Sequence, residues 1–465
     1  MAACAAALVV AAALVGCASA PPAEPLPLED APALSQTDGR AVADRWWQDF
    51  DDPQLSAAVE TALTDSFTLR QAAARLWAAQ AIAAQTRSAR SPTLDAFVDA
   101  GRTDGRNVDG QGDVGLGLSA SYEVDLWGRI RADVDAARLE ADATAEDHQT
   151  AALTLSAEIA QTLYQRVEAS AQRALVDAQL ATNRDVLEVI ESRFAIGQSG
   201  ATDVLRQRQL VEATVEQQIL AAARVARLDH RLAVLLGRPP QADAAIDVPM
   251  ALPALAMPPA VGLPSDLLQR RPDVRAAFLR LAAADASVAS AVKDRYPTLR
   301  LGAAFSTAAE RPSDLFGAWI GSLTGQLLAP LLDGDRRRQE VVRADAVRAE
   351  RLAAYGDVVL VAFQEVEDAL VGEREQIDRI ASLDAQFALA ETTYAELRNQ
   401  YLNGAADFID VLVALRDQQG LERERLTAQL LRVEQRIDLH RAVAGGFLDP
   451  DRAPAVITPT TEGQP

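Results

Sequence analysis

The 465-residue chain carries 45 basic and 66 acidic side chains, a formal charge of −21, with 49% hydrophobic and 24% charged residues. That balance is globular, and its acidity excludes a nucleic-acid backbone as main partner. The two cysteines, Cys4 and Cys17, both lie at the N-terminus, so the body offers no disulfide, thiolate nucleophile or cysteine zinc site.

Residues 5–16 form an apolar run that is too short for a membrane helix and suits the core of a secretory signal. It ends in Leu14-Val15-Gly16-Cys17, which resembles the bacterial lipoprotein box. Residues 1–16 are therefore expected to be a lipoprotein signal peptide, with Cys17 as the lipid attachment site. Ala18 follows the cysteine where the inner-membrane retention signal has Asp, which favours the outer membrane. Residues 17–45 read as a tether, Pro-rich over 20–34.

From residue 46 the chain is written twice. Arg70, Ala72, Arg75, Leu76, Pro92 and Leu94 recur at an offset of 205 as Arg275, Ala277, Arg280, Leu281, Pro297 and Leu299. Glu158, Leu163, Gly197, Asp203 and Leu205 recur at an offset of 207 as Glu365, Leu370, Gly404, Asp410 and Leu412. Two repeats follow, 46–237 and 266–446, joined by a Pro-rich linker 238–265 and followed by a flexible tail 447–465. Each is expected to hold a helix, a β-hairpin (93–125 and 298–329) and a long helical hairpin. The hairpin tips fall near 197–203 and 404–410.

The strand reading rests on a period of two. Val114, Leu116, Leu118, Ala120, Tyr122 and Val124 are apolar, while Asp113, Gly115, Gly117, Ser119, Ser121 and Glu123 are polar or tiny. Leu94, Ala96, Val98, Ala100 and Leu299, Leu301, Ala303, Phe305 show the same phase; 318–329 is less regular because Ile320 interrupts its polar phase. Segments 101–113 and 307–314 read as surface hairpin loops. The helix reading rests on punctuation. No proline stands between Pro92 and Pro239 or between Pro330 and Pro450, and the tips carry the glycines. Arms of this kind, about Gly128–Ile196 and Asp335–Asn403, would each be roughly 100 Å long at 1.5 Å per residue. Ile380, Leu383, Phe387, Ala390, Tyr394, Leu397 and Tyr401 form a heptad seam, matched by Val176, Leu180, Asn183, Leu187, Ile190 and Phe194.

Half-apolar strands of this length suit a membrane barrel, and a soluble half-buried sheet is the alternative. Four strands cannot close a barrel, and open edges in lipid are prohibitively costly, so the chain must share one. Three copies would supply 12 strands.

The segments WWQDFDDPQL (46–55), YEVDLWGR (122–129), GLPSDLLQRRPD (262–273), Tyr296-Pro297 and EVEDAL (365–370) resemble the outer-membrane factor (TolC-like) family, in its lipoprotein efflux-channel branch. The resemblance covers nearly the whole mature chain. It implies a mixed α+β membrane fold: a homotrimer with a 12-stranded outer-membrane β-barrel, four strands per chain, continuing into a long α-helical coiled-coil periplasmic tunnel. It implies a passive conduit of a tripartite efflux system, without enzymatic activity or cofactor. The expected partners are a periplasmic adaptor, an inner-membrane pump of the resistance–nodulation–division type, and outer-membrane lipid. By the same resemblance, Asp203, Tyr401 and Asp410 stand where the family closes its periplasmic gate, and Gly197, Gly200 and Gly404 where its tips turn and the adaptor docks. Ala406 replaces a family arginine and Val413 a second aspartate, which removes a salt-bridged latch and a double acidic ring from the expectation. A conduit for protein secretion shares this fold, and a structural or adaptor coiled-coil lipoprotein is the alternative from another class. Helix capping is the competing role for Asp203 and Asp407. His148, His230 and His440 are scattered, and no metal, nucleophile or acid–base constellation stands out.

Overall fold

The computed structural model describes residues 43, 45–105, 108–241, 248–261 and 264–448. The signal segment and Cys17 lie outside them. The order of elements is a 3-10 turn Trp46–Phe50, α1 Pro53–Asp65, α2 Phe67–Ser88, β1 Thr93–Gly105, β2 Val108–Val124, α3 Arg129–Ala195, α4 Ala201–Leu235, α5 Pro264–Arg270, α6 Pro272–Lys293, β3 Thr298–Ala309, β4 Ile320–Leu328, α7 Arg336–Leu402 and α8 Phe408–Val443. The helices α3 and α7 each hold 67 residues. Compact packing divides the chain into two units, and each draws segments from both sequence repeats.

The first unit contains Arg75–Ala145 and Ala276–Val358. Its strands make one antiparallel sheet in the order β1-β2-β3-β4. The register decides its chemistry. Leu94 opposes Ala120, Val98 opposes Leu116, Leu118 opposes Phe305, Tyr122 opposes Leu301, and Ala303 opposes Leu323. Because side chains alternate along each strand, all these residues share one face. Asp95, Asp99, Asp113, Ser119, Ser121, Glu123, Arg300, Thr324 and Gln326 share the other. Ile320 lies on the polar face at the start of β4, as its phase requires.

The stretch 101–113 is a correction. Gly101 pairs with Asp113, Arg102 with Gly112 and Thr103 with Gln111, with a register shift before the Gly105–Val108 pair. Backbone ladder bonds do not depend on side-chain polarity, so the ribbon continues where the apolar phase has ended. The shorter 307–314 segment is strand to Ala309, then a 3-10 turn Pro312–Asp314.

The second unit contains the described residues of Asp30–Ala74, Glu146–Arg275 and Val359–Pro465. Its largest core gathers Trp46, Trp47, Phe50, Leu55, Ile159, Leu163, Tyr164, Leu232, Val433 and Ile437. Several of the sequence motifs are joints of this core. Asp52 accepts from the N–H groups of Gln54 (2.9 Å) and Leu55 (3.1 Å), capping α1 with Pro53 at its first position, and also accepts from the Tyr164 hydroxyl at 3.1 Å. Trp46 Nε1 donates to Ser156 Oγ at 3.0 Å. Arg271 of the RRPD segment is buried and bridges Asp273 (2.6 Å) and Glu365 of EVEDAL (2.7 Å). The linker is a strap, since Val248, Leu252 and Leu255 pack on the core. Arg436, buried against Glu373, donates to the Ala256 carbonyl at 2.8 Å.

The heptad seams are visible as burial. Along α7 the positions Ile380, Leu383, Phe387, Ala390, Tyr394, Leu397 and Tyr401 are buried or half-buried, and most residues between them are exposed. On α3, Val176, Leu180, Asn183 and Ile190 are buried and Leu187 is half-buried. Phe194 departs from the seam and is 47% exposed in the last turn of α3, whereas Tyr401, in the same place on α7, is buried.

Candidate functional site

Two regions carry the expected functional features, and each lies within one unit. In the second unit the hairpins α3–α4 and α7–α8 end in the same backbone device. Gln198 N–H donates to the Arg193 carbonyl at 2.8 Å and Gly197 N–H to Phe194 at 3.0 Å; Ala405 donates to Gln400 at 2.8 Å and Gly404 to Tyr401 at 3.1 Å. This six-to-one, five-to-two closure needs a left-handed residue, and Gly197 and Gly404 have φ of 76° and 75°. A Cβ at either would meet no atom within 4 Å, so the constraint is the backbone angle alone. Gly200 has φ −84° and does a different task as N-cap of α4.

Beneath the turns lies a small apolar cluster: Ile190, Val204, Tyr401, Phe408, Val411 and Leu412, with Leu187, Tyr394 and Leu397 packed against it. Burial pushes the Tyr394 phenol above its ordinary pKa. The Tyr401 ring lies 5.5 Å from that of Phe408, and the Arg193 guanidinium sits 4.9 Å over it.

The structure joins two of the three expected gate residues. Tyr401 Oη donates to Ser199 Oγ at 3.5 Å, and Ser199 Oγ donates to Asp203 Oδ2 at 3.1 Å. Asp203 Oδ2 also accepts from Gly200 N–H at 3.2 Å, so its carboxylate satisfies the N-cap amide at the start of α4. The chain Tyr401–Ser199–Asp203 thus ties one hairpin tip to the other. Sequence reasoning missed Ser199, an ordinary loop serine whose only signal was its place between two tip glycines. Asp410 stands apart. It is exposed in the first turn of α8; its N–H donates to the Asp407 carbonyl at 3.2 Å, and its carboxylate forms no hydrogen bond or ion pair among the described residues. Asp407 is the N-cap of α8, but its side chain makes no capping bond. Ala406 is half-buried and Val413 is exposed.

In the first unit the candidate site is the sheet itself. Its apolar face leaves Leu94, Val98, Leu118, Leu301, Phe305, Leu323 and Leu327 exposed, and its outer strands β1 and β4 each have one unpaired edge. Aromatic rings stand at both ends. Phe305 stacks on Trp319 at 4.8 Å near the β3–β4 loop, and Trp127 meets Tyr296 at 5.1 Å where the strands pass into helices. There Trp127 Nε1 donates to the Pro297 carbonyl at 2.7 Å, and Asp125 caps α3 through the N–H groups of Ile130 (3.0 Å) and Arg131 (2.8 Å). Among the described residues no group of acids, histidines and cysteines could hold a metal ion, and no helix is long and apolar enough to cross a membrane.

Residues 58–238 and 263–445 match the family described as outer membrane efflux protein. The chain belongs to the outer membrane efflux protein family. It is 32% identical to the pyoverdine export outer membrane protein OpmQ of Pseudomonas putida over 421 residues, covering 87% of this chain and 88% of that one. It is 30% identical to the toluene efflux pump outer membrane protein TtgI of Pseudomonas putida, covering 86% of each. Among solved structures, the outer-membrane channel OprN superposes with a TM-score of 0.84 at 28% identity, over 92% of this chain and 99% of that one. As a member of this family the protein is an outer-membrane channel component of an efflux system, not an enzyme, and its strands and long helical hairpins are the fold of such channels.

Proposed function

We propose that three copies of this chain join their four-stranded sheets edge to edge into a 12-stranded barrel in the outer membrane. Their helical hairpins continue it as a periplasmic tunnel through which small toxic molecules leave the cell. Cys17 carries the lipid anchor, the tips near Gly197 and Gly404 dock a periplasmic adaptor, and an inner-membrane pump of the resistance–nodulation–division type supplies the drive. The observation that carries this reading is the sheet: one uniformly apolar face together with two open edges. Together they are costly in water, and a barrel closed edge to edge in a bilayer pairs the edges and sets the apolar face against lipid. The Tyr401–Ser199–Asp203 chain supports a closed resting tip, with Asp410 as an exposed charge beside it. That relatives are named for pyoverdine export and for toluene efflux supports a conduit whose cargo is chosen by the pump.

The test is conductance. Purified protein in planar bilayers should open as discrete single channels. Tyr401→Phe and Ser199→Ala, which cut the tie between tips, should lengthen the open times. Absence of any discrete conductance would remove the conduit reading, and unchanged open times would remove the tie as a gate.

A further inference from the structure

Each half of the chain crosses from strand to helix through the same order of chemistry. After β2 come Leu126 and Trp127, both exposed, then Gly128 at φ 76°, then Arg129 and Arg131. After β4 come Leu331 and Leu332, each 94% exposed, then Gly334 at φ 65°, then Arg336, Arg337 and Arg338. Both crossings lie in the first unit and are held side by side. Lys293 Nζ donates to the Gly128 carbonyl at 3.2 Å, and Arg337 binds both the carbonyl and the carboxylate of Asp294, at 2.9 and 3.0 Å.

The charge there runs against the rest of the molecule. Segments 123–133, 293–300 and 333–338 hold eight basic and six acidic side chains in a chain of net charge −21. The acids are spent internally. Glu123 pairs with Arg129 (2.7 Å) and Arg300 (3.5 Å), Asp133 with Arg129 (3.1 Å), and Asp294 and Asp333 with Arg337 (3.0 Å each); Asp125 caps α3. Arg131, Arg295, Arg336 and Arg338 are exposed and form no ion pair among the described residues. Asp335, which is exposed, is the one acid of these segments outside such contacts. Four exposed guanidinium groups outside ion pairs, of which Arg336 also lies in the field of Asp333 and Glu340, therefore border exposed Leu126, Trp127, Leu331 and Leu332. Guanidinium forks bind phosphate oxygens two at a time, while tryptophan prefers the acyl–headgroup boundary and leucine the acyl chains beside it.

We propose that these two crossings form a collar that binds the phosphodiester headgroups of anionic phospholipid in the leaflet bordering the helices. The collar rests on the reading of the sheet as a barrel in the outer membrane. Leu331 and Leu332 enter the acyl boundary, Arg336 and Arg338 reach the phosphates above them, and Arg131 with Arg295 does the same at the other crossing. Three copies carry six crossings, so the collar also fixes how deep the barrel sits.

Native mass spectrometry of the full-length protein, released from detergent after titration with phosphatidylglycerol or phosphatidylcholine, tests this. The wild type should retain phosphatidylglycerol in preference. Replacing Arg131, Arg295, Arg336 and Arg338 by Gln should cut that preference by about five-fold for each arginine in contact, since each is worth roughly 1 kcal/mol at an anionic surface. The pair Leu331→Ser and Leu332→Ser should lower retention of both lipids and leave the assembly intact. An unchanged preference in the arginine variant would overturn the proposal. So would equal displacement of the lipid by inorganic phosphate, or loss of assembly in the leucine variant, which would place those leucines in a protein contact. Single-channel conductance of the same preparations separates the two levels: a conducting wild type without lipid preference removes the collar only, whereas a non-conducting wild type removes the channel reading beneath it.

Discussion

Replacing Asn183 by Leu is the sharpest perturbation of the tunnel helices. Asn183 occupies a heptad position on α3 where an apolar residue is the rule, and it is fully buried. Its Nδ2 donates to Thr214 Oγ1 at 2.9 Å and to Gln419 Oε1 at 3.3 Å, and its Oδ1 accepts from Gln419 Nε2 at 3.0 Å. Leucine has similar volume and none of these groups. Thr214 retains a partner, because its hydroxyl donates to the Leu210 carbonyl. The buried Gln419 amide loses both its carbonyl and its N–H partner. At about 1–3 kcal/mol for each unsatisfied group, less the gain from burying a leucine, the variant should lose about 2–4 kcal/mol. Gln419→Leu alone should cost about 1–3 kcal/mol, because Asn183 keeps Thr214. The double variant removes both partners together and should lose no more than about 2 kcal/mol, a coupling of at least about 1 kcal/mol. Urea denaturation at fixed protein concentration, followed by helical circular dichroism, measures all four proteins. Losses that add to within about 0.5 kcal/mol would refute the reasoning, because independent sites add and this pair must not.

Other outcomes follow from the same geometry. Gly404→Ala forces a left-handed φ on a residue with a Cβ and should cost about 1–2 kcal/mol in thermal melts, whereas Gly200→Ala, at φ −84°, should stay within about 0.5 kcal/mol. Burial, together with repulsion from Asp438 and Glu168, holds the Glu434 carboxyl above its ordinary range despite the Gln165 hydrogen bond and Arg224. Its contribution to stability is therefore fully present below the ordinary carboxylate range and is lost as pH rises through the raised value. Glu434→Gln should raise the melting temperature at pH 8 and flatten the rise seen on acidification; an unaltered pH profile would contradict this. Asp410→Asn should reduce cation preference in bilayer recordings without changing the melting temperature, since the exposed carboxylate makes no bond that the amide loses.

The elements were legible because their punctuation is simple. Between Pro92 and Pro239 no proline breaks the chain, and the heptad spacing from Val176 with glycine at the tip separates α3 and α4 from the period-two strands that precede them. A strict period of two in 113–125 assigns β2 and both of its faces. The ribbon at 101–113 was not legible, since its pairing resides in backbone bonds that polar and glycine residues make as well as any others. Phe194 keeps the heptad spacing but is exposed in the last turn of α3, which the spacing alone does not reveal. Asn183, read as one more seam residue, meets Thr214 and Gln419, 31 and 236 positions away, and no local spacing encodes that contact. Ser199 was missed for the same reason: its role exists only when Tyr401, 202 positions later, arrives beside it. The motifs that named the family were legible as words but not as joints. Only the fold shows Arg271 clamping Glu365, or Trp127 holding the Pro297 carbonyl.

The open edges of β1 and β4 should close on other copies of the same chain. Native mass spectrometry of the purified protein counts those copies in a single spectrum. Four strands per chain and a 12-stranded barrel require three copies of the mature polypeptide, each carrying acyl chains on Cys17. A spectrum dominated by single chains, or by any number of copies other than three, would contradict the account.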